Sequence, residues 1–136
     1  MDTRDINKRV IEQFRAGGEI TGMHRDRLLL LTTTGATTGR QRTTPMMYHA
    51  DGTRILVVAS ANGAEHNPAW YHNVKAHPMV TVEVADDTYE AMATVPSGTE
   101  RDTLWAELTE IYPFFREHAE RAGREIPVVV LTRAAP

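Results

Sequence analysis

The chain of 136 residues contains no cysteine. That absence excludes disulfides, thiolate nucleophiles, and zinc or iron–sulfur centres held by thiolates. Lysine is scarce too, with 2 lysines against 13 arginines, the latter scattered in the manner of a base-composition bias. There is no basic surplus: 15 Lys and Arg face 18 Asp and Glu, for a formal net charge of −3. Non-specific nucleic-acid binding runs on such a surplus, so the charge balance argues against it. Long apolar runs are also missing. The longest, Leu28 to Leu31 and Val128 to Leu131, are far too short to span a bilayer. Residues 1–20 are charged throughout and lack the apolar centre of a secretory signal. A cytoplasmic location is the resulting expectation.

What is there reads as an ordinary soluble globule, 41% hydrophobic and 24% charged. The length predicts one domain over 1–136, burying roughly two thirds of the surface its unfolded chain exposes. No repeat, low-complexity tract or linker divides it. Residues 5–16 carry Ile6, Val10, Ile11 and Phe14 at helical spacing before Gly17-Gly18, which predicts an N-terminal helix packed on the body. Arg27 to Thr34, Thr43 to Ala50 and Arg54 to Ser60 read as three successive strands, the last two joined by an Asp51-Gly52 hairpin turn. Asn67-Pro68 fits an N-cap and first position of a short helix to Ala76. Met79 to Ala85 and Thr88 to Val95 alternate as a hairpin about Asp86-Asp87. Ser97 with Glu100 fits a capping box for a helix that Tyr112-Pro113 interrupts and that resumes to about Arg121. Ile126 to Thr132 is a continuous apolar strand, as expected of one buried on both faces. About six mostly antiparallel strands in hairpins, with three or four helices, predict an α+β sheet or barrel with its helices packed outside.

Two segments carry chemical signals. In LTTTGATTGRQRTTP, Leu31 to Pro45, Gly35 and Gly39 bracket a loop of hydroxyl residues. No acidic residue lies between Asp26 and Asp51, so Arg27, Arg40 and Arg42 hold a local positive surplus. A donor-rich backbone beside arginine suits a phosphate or carboxylate. The signature glycines and lysine of a P-loop are missing, as are those of a dinucleotide-binding turn. The residues alone leave an anion site and a solvated hairpin loop both open. In SANGAEHNPAWYHN, Ser60 to Asn73, a glycine-containing loop leads into a helix bearing Trp70, Tyr71, His72 and Asn73. An aromatic face beside an amide suits a planar ring system, while plain core packing of Trp70 is the alternative.

Other constellations are weak. His66, His72 and His77 are spaced six and five apart, so no pair shares a helix face for metal binding. Ser60 lies in VASAN, outside a nucleophile elbow. Glu83 and Glu90 lie across a hairpin with nothing to mark them as a glycosidase pair. Seven acids and four arginines in residues 100–125 describe a solvated helical face. With no metal site and no evident acid, base or nucleophile, redox chemistry here would rest on a bound organic cofactor.

LLLLTTTGATTGRQRTTPMMY, then VVASANGAEHNPAWYHNVKAHPMVTVEV, then IYPFF and REIPVVVL resemble, in order and spacing, the deazaflavin-dependent nitroreductase family of actinobacteria. The resemblance covers about Arg27 to Leu131. It implies a split β-barrel related to flavin-binding barrels. It also implies reduced 8-hydroxy-5-deazaflavin, coenzyme F(420), as hydride donor to quinones, unsaturated lactones or nitro-compounds. By the same resemblance Thr37, Thr38, Gly39, Arg40 and Arg42 would hold the phosphate and acidic tail. Pro45 and Met46 would lie along the ring, and Ser60, Ala61, Asn62 and Gly63 would form the opposite wall. Trp70 and Asn73 would complete the pocket. Tyr112, Phe115 and His118 would line the acceptor side, with Ser60 or Tyr112 orienting the acceptor oxygen. The chain departs from the family at Ala36, Thr37 and Ala61, where basic residues are frequent. It departs again at Phe115 and His118, where a nitro-reducing member carries tyrosines. Two other readings follow from the same resemblance: an FMN-binding barrel oxidoreductase, or a non-catalytic coenzyme carrier. Because the acceptor can be lipid-soluble, contact of residues 5–16 with the inner face of the plasma membrane is a further alternative.

Overall fold

The structure, a computed structural model, describes residues 3–20 and 25–134. Four α-helices are α1 (Thr3–Ala16), α2 (Ala69–Ala76), α3 (Gly98–Ile111) and α4 (Phe114–Ala122). Seven strands are β1 (Leu28–Thr34), β2 (Gln41–Met47), β3 (His49–Asp51), β4 (Arg54–Val58), β5 (Met79–Val84), β6 (Asp87–Thr94) and β7 (Val128–Arg133). They form one sheet in the order β2-β1-β5-β6-β7-β4-β3, with every pairing antiparallel.

The seventh strand arises because the stretch expected as one strand over 43–50 is two. β2 starts at Gln41, inside the expected loop, and the chain breaks step at Tyr48. That break explains the architecture. β2 and β3 are separated by one residue, yet they occupy opposite edges of the sheet. Two Cα steps span at most about 7 Å. The sheet must therefore curl until its two edges nearly meet, which makes a barrel with a split between β2 and β3.

Burial follows the period of two. Leu29 and Leu31 of β1, Ile55 and Val57 of β4, and Val129 and Leu131 of β7 point into the barrel, where Trp70 and Val74 of α2 close the same core. The alternate residues face outward into two smaller clusters. Leu28 and Leu30 meet Val10 and Phe14 of α1. Leu56, Val128 and Val130 meet Leu104 and Leu108 of α3. The leucine run of β1 and the valine run of β7 are continuous because both faces of each strand are covered. Val10, Ile11 and Phe14 of the α1 stripe pack in the cluster with Leu28 and Leu30, while Ile6 is exposed. Arg15 fastens the same helix by a two-pronged bond to Glu83 at 3.1 and 2.8 Å.

Local expectations need four corrections. α2 begins at Ala69 with Pro68 in the N-cap position, one residue later than expected, because Asn67 is engaged by Arg124 instead. Ser97 occupies the N-cap position of α3, but its hydroxyl makes no capping bond, so the box with Glu100 does not form. The second hairpin turns at Ala85-Asp86, with Ala85 at φ +51, and β6 starts at Asp87. Glu83 and Glu90 are not direct partners: Glu83 pairs with Thr88 and Glu90 with Thr81.

Candidate functional site

The β1–β2 hairpin ends in a closed, donor-bearing loop. Gly35 N–H donates to the Arg40 carbonyl at 2.8 Å, and Gly39 N–H donates to the Gly35 carbonyl at 2.9 Å. Arg40 N–H donates to the Thr38 hydroxyl at 3.2 Å. A Cβ on Gly35 would stand 2.6 Å from the Thr38 hydroxyl oxygen and 3.2 Å from the Arg40 carbonyl oxygen, so this closure needs glycine. The loop is pinned from α2. Asn73, buried, accepts from the Ala36 N–H at 3.0 Å and donates to the Thr33 hydroxyl at 3.1 Å. Among the described residues, the Thr37 and Thr38 N–H groups have no acceptor.

Two cavities meet along this surface. The first, about 990 Å³, lies between the loop and α1, with Thr37, Thr38 and Arg42 on one wall and Lys8, Glu12 and Arg15 on the other. The second, about 670 Å³, opens at the split of the barrel between Pro45, Met46 and His49 on one side and Ser60, Tyr112 and His118 on the other. Asn7, Thr44, Ala69 and Trp70 line both, so the two form one trough. Polar donors and cations lie at one end. At the other, the rings of Tyr112, Phe114, Phe115 and His118 pack on one another in tilted and edge-to-face contacts, with ring centroids 4.5 to 6.1 Å apart.

Two hydroxyl–imidazole pairs face the second cavity. The Ser60 hydroxyl lies 3.2 Å from His118 Nδ1, and the Tyr112 hydroxyl lies 3.1 Å from His49 Nδ1. Burial, reinforced by the positive charge of Arg121 and opposed by Glu117, lowers the His118 pKa below the ordinary imidazole value. His118 is therefore held neutral near pH 7.

The segment from Ala59 to Asn67 is shaped by one guanidinium. Arg124 donates to the carbonyls of Ala59, Ser60, Ala64 and His66, and to the Asn67 side chain. Within that segment Gly63 takes φ +82 and lies beneath α4. An added Cβ would stand 3.1 Å from the His118 carbonyl oxygen and 3.3 Å from the Arg121 side chain.

Of the residues singled out in the sequence, Thr37, Thr38, Arg42, Pro45, Met46, Ser60, Ala61, Trp70, Asn73, Tyr112, Phe115 and His118 line the trough. Gly39 shapes the loop from behind, Arg40 is exposed beside it, and Gly63 is a packing position under α4. Asn62 lies in the 3₁₀ turn Ala61–Gly63, and its side chain is outside the described residues. Sequence reasoning missed His49, Lys8 and Arg124. His49 sits in a strand whose break gave no signal. Lys8 reaches the trough only because α1 crosses the hairpin. Arg124 follows the helix-ending Gly123, but its five acceptors all lie 57 to 65 residues away.

With this geometry in hand, comparison with known proteins is specific. Residues 5–133 match the model of the F(420)H(2)-dependent quinone reductase family. The chain belongs to that family. It is 41% identical over 108 residues to an F(420)H(2)-dependent quinone reductase of Mycobacterium tuberculosis, covering 77% of this chain and 72% of that one. The solved structure of an F(420)-H(2) dependent reductase, FDR-A, aligns with a TM-score of 0.70 at 35% identity, over 81% of this chain and 99% of that chain. A second structure, described as a domain-swapped dimer, aligns with a TM-score of 0.72 at 33% identity over 94% and 95% of the two chains. The family bears out the resemblance to deazaflavin-dependent reductases and the split-barrel expectation. Among the described residues, no helix is long and apolar enough to cross a membrane.

Proposed function

We propose that this chain is a reductase that delivers a hydride from reduced coenzyme F(420) to a quinone bound in the split of the barrel. The observation that carries this reading is the single trough with a cationic, hydroxyl-rich end and an aromatic end. The donor set fits the coenzyme's chemistry. Its phosphate and carboxylate tail needs N–H donors and cations, and the Thr37–Thr38 turn, Arg42 and Lys8 supply them. Its flat ring system needs apolar walls, and Pro45, Met46 and Trp70 supply them. When bound, the coenzyme supplies the hydride.

The chain's own part is binding, orientation and electrostatics. The pinned loop anchors the negative end through backbone donors. Ser60 and Ala61 form the wall opposite Pro45 and Met46. Ser60 and Tyr112 direct hydroxyls toward the cavity where a quinone oxygen gains negative charge, and donors fixed there stabilise that charge. Phe115 and Phe114 keep the acceptor end dry. With a phenylalanine and a neutral histidine in place of two phenols, this end favours flat quinones over bulky nitro-compounds. A cytoplasmic site of action accords with the coenzyme being a soluble carrier.

The test mixes the protein with reduced F(420) and menadione and follows coenzyme oxidation. Turnover with menadione exceeding that with a nitro-heterocycle supports the reading. No oxidation with any quinone overturns it. Tight F(420) binding without turnover would instead mark a carrier, and tight FMN binding in its place would mark a different barrel enzyme.

A further inference from the structure

Reduction of a quinone by hydride leaves a hydroquinone anion that needs one proton, and the deazaflavin ring does not have to provide it. The structure places a route for that proton in the wall of the second cavity. Tyr112 stands at the end of α3, half-buried, with its hydroxyl 3.1 Å from Nδ1 of His49 on β3. The two rings meet edge to face, with centroids 5.6 Å apart and an interplanar angle of 79°. Both residues line the cavity. β3 is an edge strand, bonded only to β4, and His49 is itself half-buried, so the residue keeps some contact with solvent.

We propose that His49 is a positioning residue that both aims the Tyr112 hydroxyl at the acceptor oxygen and recharges it with a proton. The proposal rests on the quinone reductase reading above. The balance is as follows. The hydride carries two electrons to the quinone, giving the hydroquinone monoanion. The Tyr112 O–H bond breaks as the acceptor O–H bond forms. The Nδ1–H bond of His49 breaks as the Tyr112 O–H bond reforms, and Nε2 of the same ring takes up a proton from solvent, so the imidazole changes tautomer and the proton lost to the product is replaced.

Three features favour this pair over the other hydroxyl–imidazole pair at the cavity. Ser60 is an aliphatic alcohol and a far weaker acid than the Tyr112 phenol, so its pair with His118 offers the acceptor a hydrogen bond and not a proton. The His118 ring is packed against Phe114 and Phe115 on α4. His49 lies on β3, one of the two strands that border the split, and its register partner, Leu56, is apolar and leaves its ring free to bond Tyr112.

Two measurements test the proposal. In the coenzyme-free protein, ring-nitrogen NMR of the six histidines should show the His49 Nδ1 resonance shifted by Tyr112→Phe, with the resonances of His66, His72 and His77 unmoved. In steady-state turnover with menadione, His49→Gln retains a donor to the Tyr112 oxygen but cannot pass on a proton. Its rate should fall by about a hundredfold, the lower end of what a positioned proton donor contributes. The same substitution in a Tyr112→Phe background should add nothing. An unmoved His49 resonance overturns the pairing. A His49→Gln rate equal to wild type overturns the relay. Failure of the wild-type protein to oxidise the coenzyme with any quinone would instead sink the underlying reductase reading, whatever the NMR shows.

Discussion

Asn73 on α2 ties the end of β1 to the loop that follows it: its Oδ1 accepts the Ala36 N–H at 3.0 Å while its Nδ2 donates to the Thr33 hydroxyl at 3.1 Å. The residue was expected to complete the coenzyme pocket, and it does line the trough. Its amide, however, is already committed to holding the hairpin loop in shape. Asn73→Leu should destabilise the fold by about 1–3 kcal/mol, because the buried Thr33 hydroxyl and the Ala36 N–H both lose their partner. Asn73→Asp keeps an acceptor for Ala36 and lets the Thr33 hydroxyl reverse its role, so it should unfold later than the leucine variant. It also sets a negative charge behind the anion loop and should bind F(420) more weakly than wild type. Thermal melts and equilibrium fluorescence of the coenzyme separate the two effects. Equal stability of all three proteins would show that the loop does not depend on this clamp.

Arg124 organises the opposite wall in a comparable way. Its guanidinium serves four backbone carbonyls and one amide oxygen across the Ala59–Asn67 segment. A planar fork reaches several acceptors that a single ammonium cannot. Arg124→Ala should cost about 2–3 kcal/mol, read as a fall in melting temperature of roughly 5–10 °C. Arg124→Lys should recover less than half of that loss. Faster amide hydrogen exchange confined to residues 59–67 would locate the effect. A lysine variant as stable as wild type would show that charge, not the fork, is what the segment needs.

The legibility of this chain follows the range of each interaction. Strands β1, β5, β6 and β7 were readable because the period-two patterns of β5 and β6, or the unbroken leucines of β1 and valines of β7, state which faces are buried. The hairpin loop was readable because glycine and hydroxyl residues signal local backbone geometry. The break at Tyr48 was not, since nothing in Thr43 to Ala50 interrupts the extended pattern. It is imposed by the curling of the sheet, a property of all seven strands. The trough was half legible. Residues within one motif, such as Thr37, Thr38 and Arg42, could be grouped from sequence. Lys8 and His49 join it, and Arg124 shapes the segment that walls it, only through contacts between elements distant in the chain. The capping box at Ser97 shows the reverse error, a local motif present in sequence that the fold does not use.

Stability should depend on pH through His118. Its folded pKa lies below the ordinary value because burial, and then Arg121, disfavour the imidazolium. The unfolded chain therefore takes up a proton more readily than the folded one. Stability is unaffected at high pH, where both states are neutral. It falls as pH drops through the ordinary imidazole value of about 6.5, and goes on falling until the folded state also protonates. His118→Gln keeps a hydrogen-bonding partner for Ser60 and removes the titration. Melting temperatures compared between pH about 8 and about 5.5 should drop more for wild type than for the variant. Parallel pH profiles would remove His118 as a source of acid sensitivity.

Tail binding should be electrostatic but shared. The hairpin and the facing wall carry no cation at Ala36, Thr37 or Ala61. In the structure, Lys8 of α1 faces Arg42 of β2 across the larger cavity, while Arg15 on the same wall is tied to Glu83. Lys8 thus supplies from the helix a charge that the hairpin lacks. Exposed cations at such a site each contribute little, so Arg42→Ala or Lys8→Ala should weaken F(420) binding by only about two- to fivefold. The double variant should multiply the two losses, because the residues stand on opposite walls with no bond between them. Raising salt from about 0.1 to about 1 M shortens the screening length from roughly 10 to roughly 3 Å. It should therefore weaken the wild type more than the double variant. A truncated coenzyme without its glutamate tail should bind all four proteins alike. If Arg42→Ala and Lys8→Ala leave the affinity of the full coenzyme unchanged at low salt, the tail lies outside the cavity between α1 and the hairpin, and the anion loop has been assigned the wrong ligand.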